Sequence, residues 1–256
     1  MTEQSYRRLV ITGASSGIGR ALAYEFAAAG SKLVLLSRNI GALSEIKADL
    51  DARGAECYVR ACDVSQREDV RLGIEYAVKM LGGIDLAILN AGRGDPEWMV
   101  DFKSEYIKET FAVNVFGIVH AMEYLIPLMR EQGGGVIAGM SSVTDVRGYP
   151  GSGSYCATKA AVTTLLEAAR TELRPEHIHV ATIRPGFVRT ALTAKNEFPM
   201  PFMISPEKAA RIIRRRLEKR RNVISFPFIY WFVSEIVRWI PNWFYTPVAG
   251  RVRRKK

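Results

Sequence analysis

The sequence predicts a single α/β domain built around a doubly wound parallel sheet of about seven strands. Short, continuously apolar segments alternate with helical segments from the start of the chain, and such strands are typically buried on both faces by helices. No internal repeat, low-complexity tract or linker divides the 256 residues, which are enough to bury a sizeable core. Right-handed crossovers then place helices on both faces of the sheet.

The predicted strands are short runs of aliphatic residues, such as Arg-Leu-Val-Ile-Thr at 8–12 and Lys-Leu-Val-Leu-Leu-Ser at 32–37. The other strands are expected at 56–62, 85–89, 135–141, 177–183 and 222–226. Ligands of such sheets bind beyond the carboxyl ends of the strands. The loops that follow the strands are therefore expected to hold the functional site.

Helices fill the intervals between these strands. The first has a face of small residues, the second has a polar face and the last is basic. The predicted helices are 18–29, 42–53, 68–81, 104–130, 154–173 and 206–220.

The basic charge of the chain belongs to its C-terminal end. The formal net charge is +10, and residues 211–256 hold thirteen Lys or Arg against Glu218 and Glu235, a local balance of +11. Residues 1–210 are therefore close to neutral, with a net charge of −1 by difference. We distinguish a main domain, residues 1–226, from an extension, residues 227–256.

The extension is apolar as well as basic. Residues 226–233 are almost wholly apolar, and a helix that continues beyond them would carry one narrow polar stripe of Ser234, Glu235 and Arg238. These charges and Pro241 interrupt the segment before the roughly 20 apolar residues that span a bilayer.

Two interpretations of the extension stay open. It is an amphipathic segment in a membrane interface, with Trp and Tyr at headgroup depth and basic residues on anionic lipid, or it packs over a substrate pocket or a dimer partner. Nucleic acid is disfavoured as a partner because the apolar content does not suit a basic groove.

The cysteines favour a reduced, cytoplasmic chain. Cys57, Cys62 and Cys156 are odd in number and lack metal-ligand spacing, and the N-terminus shows no charged-then-apolar leader. We expect no metal site. Contact of the extension with lipid would place the protein peripherally at a membrane surface.

A glycine-rich loop follows the first strand. It reads Thr-Gly-Ala-Ser-Ser-Gly-Ile-Gly over residues 12–19, with glycines at 13, 17 and 19. Such a loop lets the backbone approach a phosphate closely and presents the phosphate to a helix N-terminus. The spacing differs from G-x-G-x-x-G, so an ordinary glycine turn is the alternative.

This loop resembles that of the short-chain dehydrogenase/reductase family, and further motifs of the family follow in order over about residues 6–226. Cys62-Asp63-Val64 resembles the acidic turn that holds the adenine, and Asn90-Ala91-Gly92 resembles the motif that supports the central sheet near the ribose. Pro185-Gly186 with Thr190 resembles the segment that meets the nicotinamide. The resemblance implies a Rossmann-type fold and a nicotinamide cofactor. The implied cofactor-binding residues are Gly13, Ser15, Ser16, Gly17, Ile18, Gly19, Asp63, Val64, Asn90, Ala91, Gly92, Tyr155, Lys159, Pro185, Gly186, Val188 and Thr190.

Four residues fall where the family keeps its catalytic tetrad: Asn114, Ser142, Tyr155 and Lys159. Tyr155 and Lys159 are four residues apart, which places both on one face of a helix. A phenol has a pKa near 10, and the Lys159 cation is expected to lower that pKa. The Ser142 hydroxyl would hydrogen-bond the substrate oxygen. By resemblance, Asn114 holds a water that links Lys159 to solvent.

The end of the second strand indicates the cofactor. NAD-binding relatives usually place an acid there, whereas this chain reads Leu36-Ser37-Arg38. The planar guanidinium of Arg38 suits a 2′-phosphate, which favours NADP(H) over NAD(H). A solvated surface arginine is the alternative.

The expected reaction is the NADPH-linked reduction of a ketone or aldehyde, lipophilic if the extension meets a membrane, or the reverse oxidation. A catalytically minor NADP-binding protein that serves as a membrane-associated scaffold or sensor is the alternative. The segment 191–203 corresponds to the family's mobile lid, and its Phe198, Met200, Phe202 and Met203 either line an apolar pocket or pack on the body. Trp98, Met99 and Phe102 would form the opposite wall. A homodimer or homotetramer is implied by resemblance alone.

Overall fold

Seven strands form the centre of the protein in the computed structural model, which describes residues 6–195 and 200–252. The strands are β1 (Arg8–Thr12), β2 (Lys32–Ser37), β3 (Cys57–Ala61), β4 (Leu86–Leu89), β5 (Gly135–Met140), β6 (Ile178–Pro185) and β7 (Val223–Phe226). They pair in parallel in the order β3-β2-β1-β4-β5-β6-β7. The prediction of a doubly wound, Rossmann-type sheet of about seven strands is confirmed.

Helices cover both faces of this sheet. They are α1 (Gly17–Ala28), α2 (Ile40–Ala52), α3 (Arg67–Leu81), α4 (Ser104–Phe111), α5 (Gly117–Glu131), α6 (Gly153–Glu172), α7 (Pro206–Glu218), α8 (Phe228–Trp239) and α9 (Asn242–Ala249). The core on one face is shared with α1, α2 and α7, and the core on the other with α3, α5 and α6. Successive residues of β1 alternate between the two cores, because side chains along a strand point to opposite faces.

Several element boundaries differ from the predicted ones. β5 ends at Met140, so Ser141 and Ser142 lie in the loop beyond the strand. β6 continues to Pro185, which pairs with Phe226 of β7. The predicted helix 104–130 contains a π-helical turn, Ala112–Phe116, between α4 and α5. Such turns are frequent at functional sites, and this one carries Asn114.

The helix that combines α4, the π-helical turn and α5, Ser104–Glu131, has the length and apolar composition to cross a membrane; it alone does so within residues 6–195 and 200–252. Ile118, Ala121 and Leu125 of this helix are buried in the core beneath the sheet. We therefore describe it as a helix of the second layer of the domain.

The extension forms two helices, because Pro241 lacks the amide hydrogen that would continue α8 and stands instead at the start of α9.

An ion-pair cluster holds α8 on the domain. Arg184 of β6 is buried and contacts Asp145 Oδ1 at 2.7 Å and Glu235 Oε1 of α8 at 3.2 Å. Asp145 lies in a 3₁₀ turn after β5, and its other oxygen accepts a hydrogen bond from Thr163 of α6 at 2.6 Å. The cluster therefore joins the extension to two segments that border the candidate site.

A second arginine fastens the end of α8. The Arg147 guanidinium donates to the carbonyl oxygens of Val237, at 3.2 Å, and Ile240, and also contacts Asn242. It stacks on the Tyr245 ring with 4.0 Å between the guanidinium carbon and the ring centroid. A cation at a helix C-terminus satisfies free carbonyl groups and complements the helix dipole. One face of the extension therefore packs on the domain.

We expect Asp145→Ala to lower the free energy of unfolding by about 3 kcal/mol, because it leaves the buried Arg184 cation short of its nearest counter-charge. Urea denaturation measures this change. Glu123→Ala is the control, since it breaks the solvent-exposed pair with Arg67 and should leave the midpoint almost unchanged. Equal losses in the two variants would contradict the assigned role of the buried cluster.

Candidate active site

The glycine loop between β1 and α1 is tightly folded. Gly13 and Gly17 have φ values of +65° and +54°, a region that favours glycine. A Cβ on Gly19 would lie 2.3 Å from the Gly13 carbonyl oxygen, so this contact excludes any side chain. Ser16 is the N-cap of α1, but its side chain forms no capping hydrogen bond. The first turn of α1, which includes Ile18, contains no acidic residue. The loop fits the diphosphate of a dinucleotide, since a helix N-terminus attracts anions.

Asn90 attaches this loop to β4. Its side chain donates to the carbonyl oxygens of Thr12 and Gly13, both at 3.1 Å. The Thr12 hydroxyl in turn accepts the backbone N–H groups of Asn90 at 3.0 Å and Ala91 at 3.2 Å. The ends of β1 and β4 are therefore bound together where the strand order reverses, which is the usual ligand crevice of such sheets.

Arg38 and Asp63 lie near each other beyond the ends of β2 and β3. The Arg38 side chain is 74% exposed and its guanidinium is 3.9 Å from Asp63 Oδ2. The other Asp63 oxygen accepts both the backbone and the hydroxyl of Ser65. Ser15 and Ser37 share a hydrogen bond of 2.8 Å, which joins the glycine loop to the end of β2. The cation is therefore held only loosely and remains accessible.

Other predicted residues border the same edge. Val64, beyond β3, is buried, and its carbonyl oxygen lies 3.1 Å from Nδ1 of His120. Beyond β6, Gly186 donates to Phe226 O at 2.7 Å and Val188 is buried. The Thr190 methyl would be 3.1 Å from a Cβ on Gly17, so this segment reaches the glycine loop.

Tyr155 and Lys159 occupy one face of α6, as predicted. The Lys159 ammonium is buried, donates to the Met140 carbonyl oxygen at 2.8 Å and lies 5.4 Å from the centroid of the Tyr155 ring. Burial lowers the pKa of Lys159 to about 8. This side chain is therefore a cation near neutral pH that titrates within an accessible range.

The prediction of a lowered pKa for Tyr155 is wrong, because burial of the phenol outweighs the groups that stabilise its phenolate. Burial raises the pKa of the Tyr155 phenol to about 12, and its hydrogen bond with Ser142 only partly opposes this effect. The Lys159 ammonium is engaged by the Met140 carbonyl, and desolvation of the phenolate dominates.

Ser142 lies in the loop after β5, directly before the 3₁₀ turn Val143–Val146. Its hydroxyl oxygen accepts hydrogen bonds from the Thr144 backbone at 3.2 Å and the Thr144 hydroxyl at 3.0 Å. Ser141 instead donates to the Lys159 carbonyl at 3.0 Å and lies 2.7 Å from the Thr163 hydroxyl. The two serines therefore differ: Ser142 hydrogen-bonds Tyr155, and Ser141 packs against α6.

Asn114 is fully buried within the π-helical turn. Its amide bridges the backbone N–H and C=O of Arg93, at 2.8 and 2.9 Å, and donates to Thr158 Oγ1 at 3.0 Å. A Cβ on Gly92 would lie 3.4 Å from Asn114 Oδ1 and 3.7 Å from Lys159 Nζ. Both polar groups therefore border the space beside Gly92.

Exposed apolar side chains lie on the segments that follow β4 and β6. Met99 and Phe102 on one side and Phe202 on the other are all more than half exposed. Trp98 packs on Gly151, Met200 and Met203 are partly buried, and Phe198 lies outside the described residues. Asp95 and Lys195 form an ion pair between the two sides.

Comparison with known proteins identifies the family. Residues 7–199 match the family described as short chain dehydrogenase. An uncharacterized oxidoreductase of Myxococcus xanthus is 31% identical over 253 residues, which cover 99% of this chain and 100% of that protein. The chain belongs to the short-chain dehydrogenase/reductase family. It is an oxidoreductase, and the resemblance drawn from its motifs is confirmed.

Solved structures of this family share the fold over most of the chain. A short chain dehydrogenase/reductase from Burkholderia phymatum, in complex with NAD, has a TM-score of 0.86 at 25% identity and covers 100% of this chain and 99% of its own. An alcohol dehydrogenase from the archaeon Thermococcus sibiricus, complexed with 5-hydroxy-NADP, has a TM-score of 0.77 at 26% identity, with coverage of 86% and 95%. Relatives of this dehydrogenase therefore hold nicotinamide cofactors of both kinds.

Some neighbours of the site in this dehydrogenase were not predicted. A Cβ on Gly94 would lie 2.6 Å from the Tyr155 ring, so the loop after β4 packs directly on the phenol. Buried Glu97 accepts a hydrogen bond from Ser154 at 2.5 Å and ties that loop to the start of α6. The Thr158 hydroxyl accepts a hydrogen bond from the Asn114 side chain. The one sequence signal for this contact is that Thr158 directly precedes Lys159.

The buried ammonium of this dehydrogenase predicts how stability varies with pH. Between the folded pKa of about 8 and the unfolded value of 10.5, the unfolded chain binds a proton at Lys159 that the folded protein lacks. The free energy of unfolding should therefore rise with pH in this window by roughly 3 kcal/mol from this group.

Urea denaturation of wild type and Lys159→Met at a series of pH values measures the effect. The difference between wild type and variant should increase from pH 8 to 10. The series stops there because the raised pKa of Tyr155 makes its own contribution to stability fall above 10. A difference that stays constant with pH would contradict the assignment.

Proposed function

We propose that this dehydrogenase uses NADP(H) to reduce an apolar ketone or aldehyde to the alcohol, and to catalyse the reverse oxidation. The observation that carries the proposal is the meeting of Tyr155, Ser142 and Lys159 beside the glycine loop at one edge of the sheet. A phenol, a hydroxyl and a buried cation form a proton-transfer group next to a dinucleotide cradle.

The cofactor would lie along the carboxyl ends of the strands. The glycine loop and α1 would hold the diphosphate, Asp63 and Val64 the adenine, and Asn90, Ala91 and Gly92 would lie near the ribose. Lys159 would bind the nicotinamide ribose, and the segment from Pro185 to Thr190 would meet the nicotinamide. The full set proposed for the cofactor is Gly13, Ser15, Ser16, Gly17, Ile18, Gly19, Arg38, Asp63, Val64, Asn90, Ala91, Gly92, Tyr155, Lys159, Pro185, Gly186, Val188 and Thr190.

Arg38 supports NADP(H) over NAD(H). It follows β2 directly, its guanidinium is accessible and its nearest carboxylate oxygen is 3.9 Å away, so it is available to a 2′-phosphate. No acid ends β2, where NAD-binding folds usually hold the ribose hydroxyls.

The bound nicotinamide would supply the hydride to the carbonyl carbon. Tyr155 would donate its phenolic proton to the carbonyl oxygen while the Ser142 hydroxyl orients that oxygen and stabilises its developing charge. Lys159 would stabilise the resulting phenolate. Asn114 and Lys159 border the same space beside Gly92. Asn114 would hold a water there, and this water would return a proton to Tyr155 through Lys159.

The raised pKa of Tyr155 supports its role as a proton donor. With a pKa of about 12, Tyr155 is protonated at neutral pH and ready to donate. Oxidation needs the phenolate, and therefore needs the positive charges of Lys159 and of the oxidised cofactor to lower this pKa. The exposed apolar side chains of Met99, Phe102 and Phe202 support a lipophilic substrate.

A second function is favoured by one observation, the exposed apolar surface of the extension: an NADP-binding scaffold or sensor at a membrane, with little catalysis. In either case we propose residues 1–226 as the NADP-binding domain and 227–256 as an appended segment. A homodimer or homotetramer and a cytoplasmic location stay predictions.

Arg38→Ala should weaken NADPH binding about 10- to 100-fold and leave NADH binding unchanged, because a hydrogen-bonded charge pair contributes about 1.5–3 kcal/mol. Titration of cofactor fluorescence measures both dissociation constants. Arg53→Ala, at the end of α2, removes another exposed arginine and should change neither. Equal affinity of the wild type for the two cofactors would refute the 2′-phosphate contact.

Tyr155→Phe should lower kcat about 100- to 10,000-fold through loss of the proton donor, while the dissociation constant for NADPH stays nearly constant. Oxidation of NADPH with decanal or 2-decanone as the carbonyl measures turnover. A scaffold or sensor predicts instead that wild type and variant are equally inactive toward a broad panel of apolar carbonyls.

A further inference from the structure

Helix α8 has its polar side toward the protein. Ser234 is buried and donates to the Trp231 carbonyl oxygen at 2.8 Å, and Glu235 reaches Arg184. Tyr230 packs edge-on against Phe187, with 5.0 Å between ring centroids. The predicted polar stripe therefore faces mainly inward, the opposite of a helix that lies on a water-exposed surface.

The outward side of the extension is apolar. We name as its outer face the six side chains Phe228, Phe232, Ile236, Trp239, Trp243 and Phe244, each of which is about half exposed or more. The first four follow at spacings of four, four and three residues, which is a single stripe along α8. Trp239 and Trp243 are 80% and 77% exposed. Such a contiguous apolar surface marks an interaction site.

The domain itself does not cover the outer face, because the other side of the extension is already fastened. Arg147 holds the end of α8 and stacks on Tyr245, and the Tyr245 hydroxyl donates to the Gly148 carbonyl at 2.6 Å. Turning α8 over would break these contacts and the Arg184–Glu235 pair. Among residues 6–195 and 200–252, no segment covers the outer face.

Charge distinguishes two candidate partners for the outer face. The extension, residues 227–256, contains six Lys or Arg and only one acidic residue, Glu235. A second copy docked face to face would bring two strongly basic segments together, and like charges repel. A surface with anionic headgroups supplies the opposite charge, and tryptophan side chains favour the depth of such headgroups.

We propose that the outer face docks on the surface of a bilayer that contains anionic lipid. The aromatic and aliphatic side chains enter the headgroup region, and the basic residues bind lipid phosphates. Tyr230 also hydrogen-bonds the Pro201 carbonyl oxygen, beside the exposed Phe202. Docking therefore sets the exposed Phe202 near the bilayer.

Co-sedimentation of the full-length protein with vesicles tests this proposal. Vesicles of phosphatidylcholine with phosphatidylglycerol should bind the wild type, with a blue shift of tryptophan fluorescence, whereas phosphatidylcholine alone should bind it much less. High salt should weaken the binding, since it screens the charge attraction. Equal binding to both vesicles, or to neither, would overturn the proposal.

The double variant Trp239→Ser/Trp243→Ser should reduce partitioning at least about tenfold, because each tryptophan removes a large apolar surface from water. Phe228→Ser/Phe232→Ser should act in the same direction. Val119→Ser replaces an exposed apolar residue on α5, outside the extension, and should leave partitioning unchanged. Thermal midpoints of all variants separate lost docking from lost folding.

Sedimentation equilibrium without lipid tests whether the outer face instead binds a second copy of the chain. If the tryptophan variant converts a dimer to a monomer and vesicles do not bind the wild type, the outer face is a subunit interface and the proposal fails. Tyr155→Phe should bind vesicles like wild type. Loss of turnover therefore tests the proposed reaction alone, and loss of vesicle binding tests the docking surface alone.

Discussion

The link between Asn90 and the end of β1 is the interaction on which the site depends. It binds two adjacent strands whose crossovers leave in opposite directions, so the crevice between the halves of the sheet lies above them. The glycine loop then follows β1 directly, while Ser142 and Lys159 are positioned by β5, one strand further along the sheet. Because all strands are parallel, the cradle, the phenol and the cation meet at one edge.

Burial controls the electrostatics at that edge. Lys159 is bound by a carbonyl oxygen and Tyr155 by a hydroxyl, and both are weaker partners than an opposite charge. Desolvation therefore raises the pKa of Tyr155 and lowers that of Lys159. The site therefore contains a phenol that is protonated at neutral pH beside a cation whose pKa is lowered.

The extension is part of the same structure rather than a loose appendage. Arg184 and Asp145 connect Glu235 of α8, through Thr163 and Ser141, to the backbone of Lys159. Arg147 fastens the other end of α8 to the loop that begins at Ser142. Any partner that holds the outer face therefore also holds the segments around the loop after β5, and the exposed Phe202 lies beside that surface.

The sequence by itself determined the sheet, because continuous apolar runs such as Leu33–Leu36 fit only strands covered on both faces. Its motif spacing also located the glycine loop, Asn90 and the Tyr155–Lys159 pair, since these depend on local turns and on one helix. Only the tertiary structure decided what depends on distant partners. Met140 holds Lys159, Gly94 packs on Tyr155, and the stripe of Ser234 and Glu235 faces inward because Arg184 lies there. The polar stripe in the sequence of α8 cannot reveal which side of the helix will face another element such as β6. Burial, which sets the pKa values of Tyr155 and Lys159, is a property of the assembled fold.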